Sequence, residues 1–450
     1  MVGTSEPYSE RIEMEKTRDY KHYTLPNGMV VAMQDNLSKT ICARLVINFG
    51  PYHEKPREEG MAHLLEHSLL SGGSEKYSPR EAINISSSFG YSNAVTELNK
   101  IFFEVDMLSE DFERWLDFAS DTAFRPKFDS ERVGEEKKRI IREIYDLKSA
   151  WDYKYNSKLL KMFFREHPRS LSPLGDERVI MDADISKIRE FYLRGFHPNN
   201  ADLICAGGLP GNSDELIKRY FGEIPMGKDS RIIFPELAPL EKKMQTYLVR
   251  PHRLQGDSLE KSSASVHLRC VAPCDRPDRF ALISALEILG SPDLSSRLIR
   301  SIGCKLGLAY NVSTNYNDRY NAGCFAVNAD VPARRIDEAV SAIFDEMDLM
   351  KTEAVSEEEL RVLKSRTKYC FAKQQDSNED LVAFLENLIR FKRSVEEAES
   401  AYEKVTSKDI LAATGKHFPD RESGKYMLTI ASSMESDASR PNFLTNKDFD

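Results

Sequence analysis

His63-Leu64-Leu65-Glu66-His67 sets two histidines four positions apart, with a glutamate immediately before the second. On a helix, positions i and i+4 share a face, so both imidazoles can meet one metal ion. Glu66 projects toward the same place. Two nitrogen ligands and an acid/base group within five residues form the kernel of a metal-assisted hydrolase. Two histidines do not hold a catalytic zinc alone: a third protein ligand is needed, with the fourth position left to water. The charged run Glu135–Ile144 offers Glu136 and Glu143, seven residues apart with Ile140 between them. Two helical turns put both on one face, where either could ligate while the other supports from behind. Taken alone, a glutamate face on a charged helix is more often solvated surface.

The elements that must position these groups can be traced along the chain. His22–Leu25 and Met29–Met33 flank Pro26-Asn27-Gly28, a strong hairpin signal. A further strand, Ile41–Phe49, ends at Gly50-Pro51. The motif lies on a helix over residues 60–70 that stops at Gly72-Gly73. Ser78 as N-cap and Pro79 at the first helical position start the next helix, which runs toward Gly90. Strands at Ser92–Val95 and Ile101–Val105 precede a helix at Asp111–Ala123 and a long charged one at Ser130–Ser149. After Phe221-Gly222-Glu223-Ile224-Pro225 the chain turns polar and proline-bearing as far as Lys243, an interdomain linker. Beyond it, strand Ala264–Pro273 and helix Arg279–Leu289 repeat the order of Ile41–Leu70 without the histidines. The pattern predicts an α+β protein of two similar halves, 1–225 carrying the metal and 244–450 without it, joined by 226–243.

Composition sets outer limits. At 450 residues the chain exceeds one ordinary core, and 41% hydrophobic with 30% charged residues suits a globular protein. A formal net charge of -9 argues against nucleic acid or an anionic membrane as the main partner. No apolar run reaches the length of a membrane span. The N-terminal residues are polar and include acids, unlike a secretory signal or a mitochondrial transit peptide, so the expected location is the cytoplasm. Seven scattered cysteines read as free thiols in a reducing compartment; Cys270 and Cys274 lack a second pair that would complete a zinc site.

From Leu25-Pro26-Asn27-Gly28 onward the chain resembles the insulinase/pitrilysin family of zinc metallopeptidases, whose H-x-x-E-H order is that of inverzincins. In size it is most similar to the half-length branch that includes the mitochondrial processing peptidase. Supporting stretches are Ser92-Asn93-Ala94, Pro173-Leu174-Gly175, Phe196-His197-Pro198-Asn199-Asn200, Phe221–Pro225 and Leu306-Gly307-Leu308-Ala309-Tyr310. The family's third ligand falls seventy-six residues after the second histidine, which here is Glu143, and its supporting glutamate falls on Glu136. The resemblance thus implies one Zn2+ per chain held by His63, His67 and Glu143, with Glu66 as general base. It implies two α/β-sandwich halves, each a mixed sheet covered by helices, arranged as a clamshell. Asn93 and Ala94 resemble the family's edge strand, which pairs with an extended peptide substrate.

The pattern departs at one point. The family usually places an arginine seven residues before the tyrosine that matches Tyr310, and here Gly303 stands in that position. Glycine offers no charged fork to a developing oxyanion. Arg300 lies one turn away, but its side chain would point differently. In the family's heterodimers one subunit carries zinc and a same-sized partner supplies the Arg/Tyr pair. The resemblance therefore implies the zinc-bearing endopeptidase subunit of such a pair, with a homodimer as second choice. The competing reading is a non-catalytic structural or regulatory subunit. A second departure is the segment Thr96–Ile101, about two residues shorter than the family's.

Overall fold

A computed structural model describes residues 20–230, 232–249, 263–272, 274, 276–309, 311–374, 376–391, 395–422 and 424–432. Tyr310 therefore lies outside the described residues. The first half contributes β1 (Tyr20–Thr24), β2 (Val30–Asp35), β3 (Thr40–Ile47), β4 (Tyr91–Glu97), β5 (Lys100–Leu108) and β6 (Ala201–Gly207). Their sheet order is β1-β2-β6-β3-β5-β4, mixed because β2 and β6 run parallel. The second sheet uses β7 (Met244–Val249), β8 (Ser263–Val271), β9 (Asn311–Asn317), β10 (Cys324–Pro332) and β11 (Met427–Ser432), in the order β7-β11-β8-β10-β9. Without β1 the two orders are the same: first strand, last, second, fourth, third. The parallel pair recurs too, as β11 beside β7. The repeat read from strand-then-helix order is thus a repeat of whole sheet topology.

Helices cover the sheets. In the first half they are α1 (Met61–Ser71), α2 (Pro79–Ser86), α3 (Phe112–Phe124), α4 (Ser130–Ser149), α5 (Trp151–Phe164), α6 (Glu177–Asp182), α7 (Ile185–Gly195) and α8 (Ser213–Phe221). In the second they are α9 (Arg279–Gly290), α10 (Ile336–Thr352), α11 (Glu357–Lys373), α12 (Asn378–Phe391), α13 (Val395–Glu403) and α14 (Ser407–His417). The helix α9 occupies the place of α1 in the repeat and contains no histidine. No helix among the described residues is long and apolar enough to cross a membrane.

Strand alternation sends Ile41, Ala43, Leu45 and Ile47 into a core beneath α1, α3 and α4. Cys42 and Val46 face the other way. That second face is not left to solvent. Leu381, Val382 and Leu385 of α12 lie on it, against Ala32, Phe102, Ile204 and Ala206. The exchange is mutual: Tyr155, Leu159, Phe163 and Phe164 of α5 pack on Leu248, Met427 and Ala431 of the second sheet. Because both faces are covered, β3 and β6 read as nearly unbroken apolar runs rather than as alternating ones.

Among its described residues the expected linker has no regular structure, yet it is fastened at several points. His53 Nε2 lies 2.9 Å from Ser230 O, and the Phe234 ring stacks on Tyr52 at 4.4 Å. His167 Nε2 lies 3.0 Å from Pro235 O, and Arg165 Nη1 donates to Pro239 O at 3.0 Å.

Candidate metal centre

Apart from the motif and two serines that bond back to the carbonyls of Leu64 and His67, α1 is apolar, and nearly all of it is buried. His63 and Glu66 are therefore carried into the interior, at 6% and 7% exposure. Two features fix the helix start. Gly60 (φ 101°) and Gly175 (φ 80°) meet there, and a Cβ on Gly175 would stand 2.1 Å from the Gly60 Cα. Only glycine accommodates both the positive φ and the close approach. Glu54 accepts hydrogen bonds from Gly60 N (3.1 Å) and Ala62 N (2.8 Å), supplying acceptors to donors that lack helical partners. Burial pushes the Glu54 carboxyl up to about 7, against the two backbone donors, with Glu59 and Glu58 adding to the rise.

Helix α4 crosses beside α1. Its buried residues are Val133, Ile140 and Ile144, so the face carrying Ile140 is turned inward and brings Glu136 and Glu143 with it. The two glutamates, which sequence periodicity leaves as equal candidates, have different surroundings. Glu136 Oε2 lies 2.9 Å from His67 Nδ1. A carboxylate only accepts, so Nδ1 carries the proton and Nε2 presents its lone pair. Burial alone would raise the Glu136 carboxyl, but its hydrogen bond and charge pairing with His67 outweigh this and hold it below the ordinary carboxylate range. Glu143 Oε2 instead lies 3.7 Å from His63 Nε2 and 3.8 Å from His67 Nε2.

Ligand atoms of His63, His67 and Glu143 all lie within 4.8 Å of one another, and among the described residues this is the group that could hold a metal. Tetrahedral zinc with bonds of about 2.0–2.2 Å sets its ligand atoms about 3.3–3.5 Å apart. The Glu143 separations need only a few tenths of an ångström, and no pair in the group needs more than about 1.4 Å, within reach of small side-chain rotations on both sides, so the donor set fits. Burial, with His67 alongside, holds the His63 imidazole below its ordinary value, favouring the neutral form a metal needs. His63 Nδ1 faces Leu174 O at 3.5 Å. Glu143 is the exposed member, its side chain 43% accessible, so the group opens to solvent on that side.

The remaining expected residues fall in three places. Asn93 and Ala94 lie on β4, which among the described residues pairs with β5 alone and forms the edge of its sheet. The shortened segment after them closes as a two-residue turn, Leu98-Asn99, between β4 and β5. Gly303 sits in a seven-residue π-helix, Ile299–Lys305. Arg300 Nη2 is tied to Glu359 at 3.3 Å, sharing that carboxylate with Arg297. One contact was missed by the sequence reading: Thr96 Oγ1 donates to Glu66 Oε2 at 2.8 Å. Strand alternation could have found it. If Val95 faces α12, then Ala94 and Thr96 face α1.

Comparison with known proteins adds an independent line. Residues 29–177 match the model of the insulinase family (peptidase family M16), and residues 182–367 match the model of the peptidase M16 inactive domain. An uncharacterized zinc protease of Bacillus subtilis, YmxG, is 23% identical over 353 residues, covering 77% of this chain and 82% of its own. The mitochondrial-processing peptidase subunit beta of Neurospora crassa is 22% identical over 415 residues, covering 89% and 85%. Among solved structures, a putative M16-like peptidase from Alicyclobacillus acidocaldarius superposes with a TM-score of 0.77 at 17% identity, covering 93% of this chain and 99% of that one.

Proposed function

Because the chain belongs to the insulinase (M16) family of peptidases, we propose that it is a zinc-dependent endopeptidase and the catalytic subunit of a pair. The observation that carries this reading is the convergence of His63, His67 and Glu143 from two helices, with Glu66 buried beside them. His63, His67 and Glu143 would hold one zinc, and Glu136 would keep His67 in the ligating tautomer. Bound there, zinc would supply Lewis acidity, lowering the pKa of water and polarising a peptide carbonyl. Glu66 takes the proton of the attacking water and returns it to the leaving amine. An extended peptide docks by adding a strand to β4 at Asn93 and Ala94, a mode that reads backbone conformation more than sequence. Short or unfolded peptides are the substrates, since a chamber enclosed between two clamshell halves excludes folded proteins by size.

The pairing follows from the second half. Gly303 offers no cation and Arg300 is engaged by Glu359, so a paralogous subunit of similar size would complete the site, a second copy of this chain being the other choice. The test is metal analysis together with cleavage of a quenched peptide, with and without the complementing subunit. One zinc per chain and turnover abolished by chelation are expected. Glu66→Gln should keep zinc and lose turnover; a protein that binds no zinc, or a Glu66→Gln variant that turns over normally, would falsify the reading.

A further inference from the structure

We propose that Thr96 is a positioning residue that sets the aim of Glu66 and links that aim to the peptide-docking strand; this rests on the reading of Glu66 as the base. The terminal torsion of a glutamate is soft, so a carboxylate without a directional partner swings. Thr96 Oγ1 supplies that partner at 2.8 Å on Oε2, while Oε1 takes no protein donor among the described residues. One oxygen is pinned and the other is left for water.

The position of Thr96 in its strand gives the contact a second meaning. Its backbone pairs with Ile101 of β5, and the opposite edge of β4 pairs with no strand among the described residues. A peptide added there would hydrogen-bond the strand whose side chain holds the base. The far end of β4 is itself clamped. Glu97, the next residue, meets Lys100 and Arg319 at 3.6 Å each and the Tyr320 hydroxyl at 3.4 Å. A Cβ on Gly50 would stand 2.6 Å from the Lys100 backbone nitrogen, so the β4–β5 turn is seated directly on that residue. Thr96 thus joins the docking edge to the base from a strand end that is fixed in place, as a pre-organised site requires.

The test uses the full zinc-loaded chain together with the complementing subunit. Thr96→Val removes the hydroxyl at nearly constant shape. It should lower kcat about 30-fold, part of the ~10²–10⁴ that a general base supplies, with KM within twofold. Zinc stoichiometry, and binding of a labelled peptide to the zinc-free protein, should stay as in wild type. Thr96→Ser should recover most of the lost kcat, and Thr96→Val should cost nothing further in the slow residual single-turnover rate that Glu66→Gln retains at high enzyme concentration. Thr96→Val with undiminished kcat, beside an inactive Glu66→Gln, overturns the role of Thr96 alone. So does a Thr96→Val loss that persists in the Glu66→Gln background. A fully active Glu66→Gln overturns the base assignment and this proposal with it.

Discussion

Replacing Glu136 with alanine removes the only partner that the described residues give His67 Nδ1, which donates a hydrogen bond of 2.9 Å to a glutamate side chain only 12% exposed. The half-buried N–H left behind costs about 1–3 kcal/mol. Loss of an outer partner of a metal-ligating histidine lowers metal affinity about 10–100-fold, or about 1.4–2.7 kcal/mol. The two figures overlap, so Glu136→Ala should weaken zinc binding roughly tenfold to a hundredfold. Arg139, 3.8 Å from the same carboxylate and 74% exposed, adds little. Glu136→Gln keeps an acceptor oxygen without the charge and should fall near the lower bound. Competition against a chromogenic chelator measures the affinity, and kcat at saturating zinc separates lost metal from lost chemistry. Glu135→Ala, one residue away on the exposed face, is the control. A zinc Kd for Glu136→Ala within twofold of wild type refutes the argument.

Gly175→Ala forces a Cβ to 2.1 Å from Gly60 Cα at a φ of 80°, and should cost about 2–4 kcal/mol in urea unfolding; an unchanged midpoint counts against the close approach. Burial raises the folded pKa of Glu54 to about 7 from an ordinary 4.5, so the contribution of its protonation to stability is full below about pH 4.5 and is lost as pH rises through 7. Thermal melts across that window should show Glu54→Gln gaining on wild type as pH rises, and a constant difference contradicts the shift. Glu386→Ala on α12 leaves Arg44 and Lys100 of the first sheet, each under 15% exposed, without the acceptor they share. A loss of about 3 kcal/mol in chemical denaturation is expected, and a loss under about 1 kcal/mol would show the charges rehydrating instead.

Much of this architecture was legible because local signals agree with the global fold. Asn27-Gly28 closes β1 onto β2, and Ser78 with Glu81 forms the capping box that starts α2. That helix ends at Ser86 rather than running on toward Gly90, since Ser88 bonds back to Ile85 O in competition with helical pairing and the Ser86 hydroxyl meets Ser92 of β4. The order β8 then α9 does repeat β3 then α1. Periodicity could not say which sheet a helix covers: the apolar faces of α5 and α12 are visible in sequence, but their exchange between halves is set by tertiary packing. Nor could it choose between Glu136 and Glu143, which share a face and differ by which histidine nitrogens each meets. Thr96 escaped notice because it was read as part of a shortened segment, whereas it is the sixth residue of a seven-residue strand.

The crossed placement of α5 and α12 bears on how the chain comes to be folded at all. When β6 leaves the ribosome, the first sheet can close, but Cys42, Val46, Phe102 and Ile204 stay bare until Leu381 to Leu385 have been made. At ~5–20 residues per second that wait is roughly ten seconds or more, during which the nascent protein displays an uncovered apolar sheet. Over the same interval α5 has no surface on which to settle. Each half is therefore the last step in the folding of the other. Cutting the gene at the connector would yield two sticky fragments rather than two domains, competent only when synthesised in each other's presence.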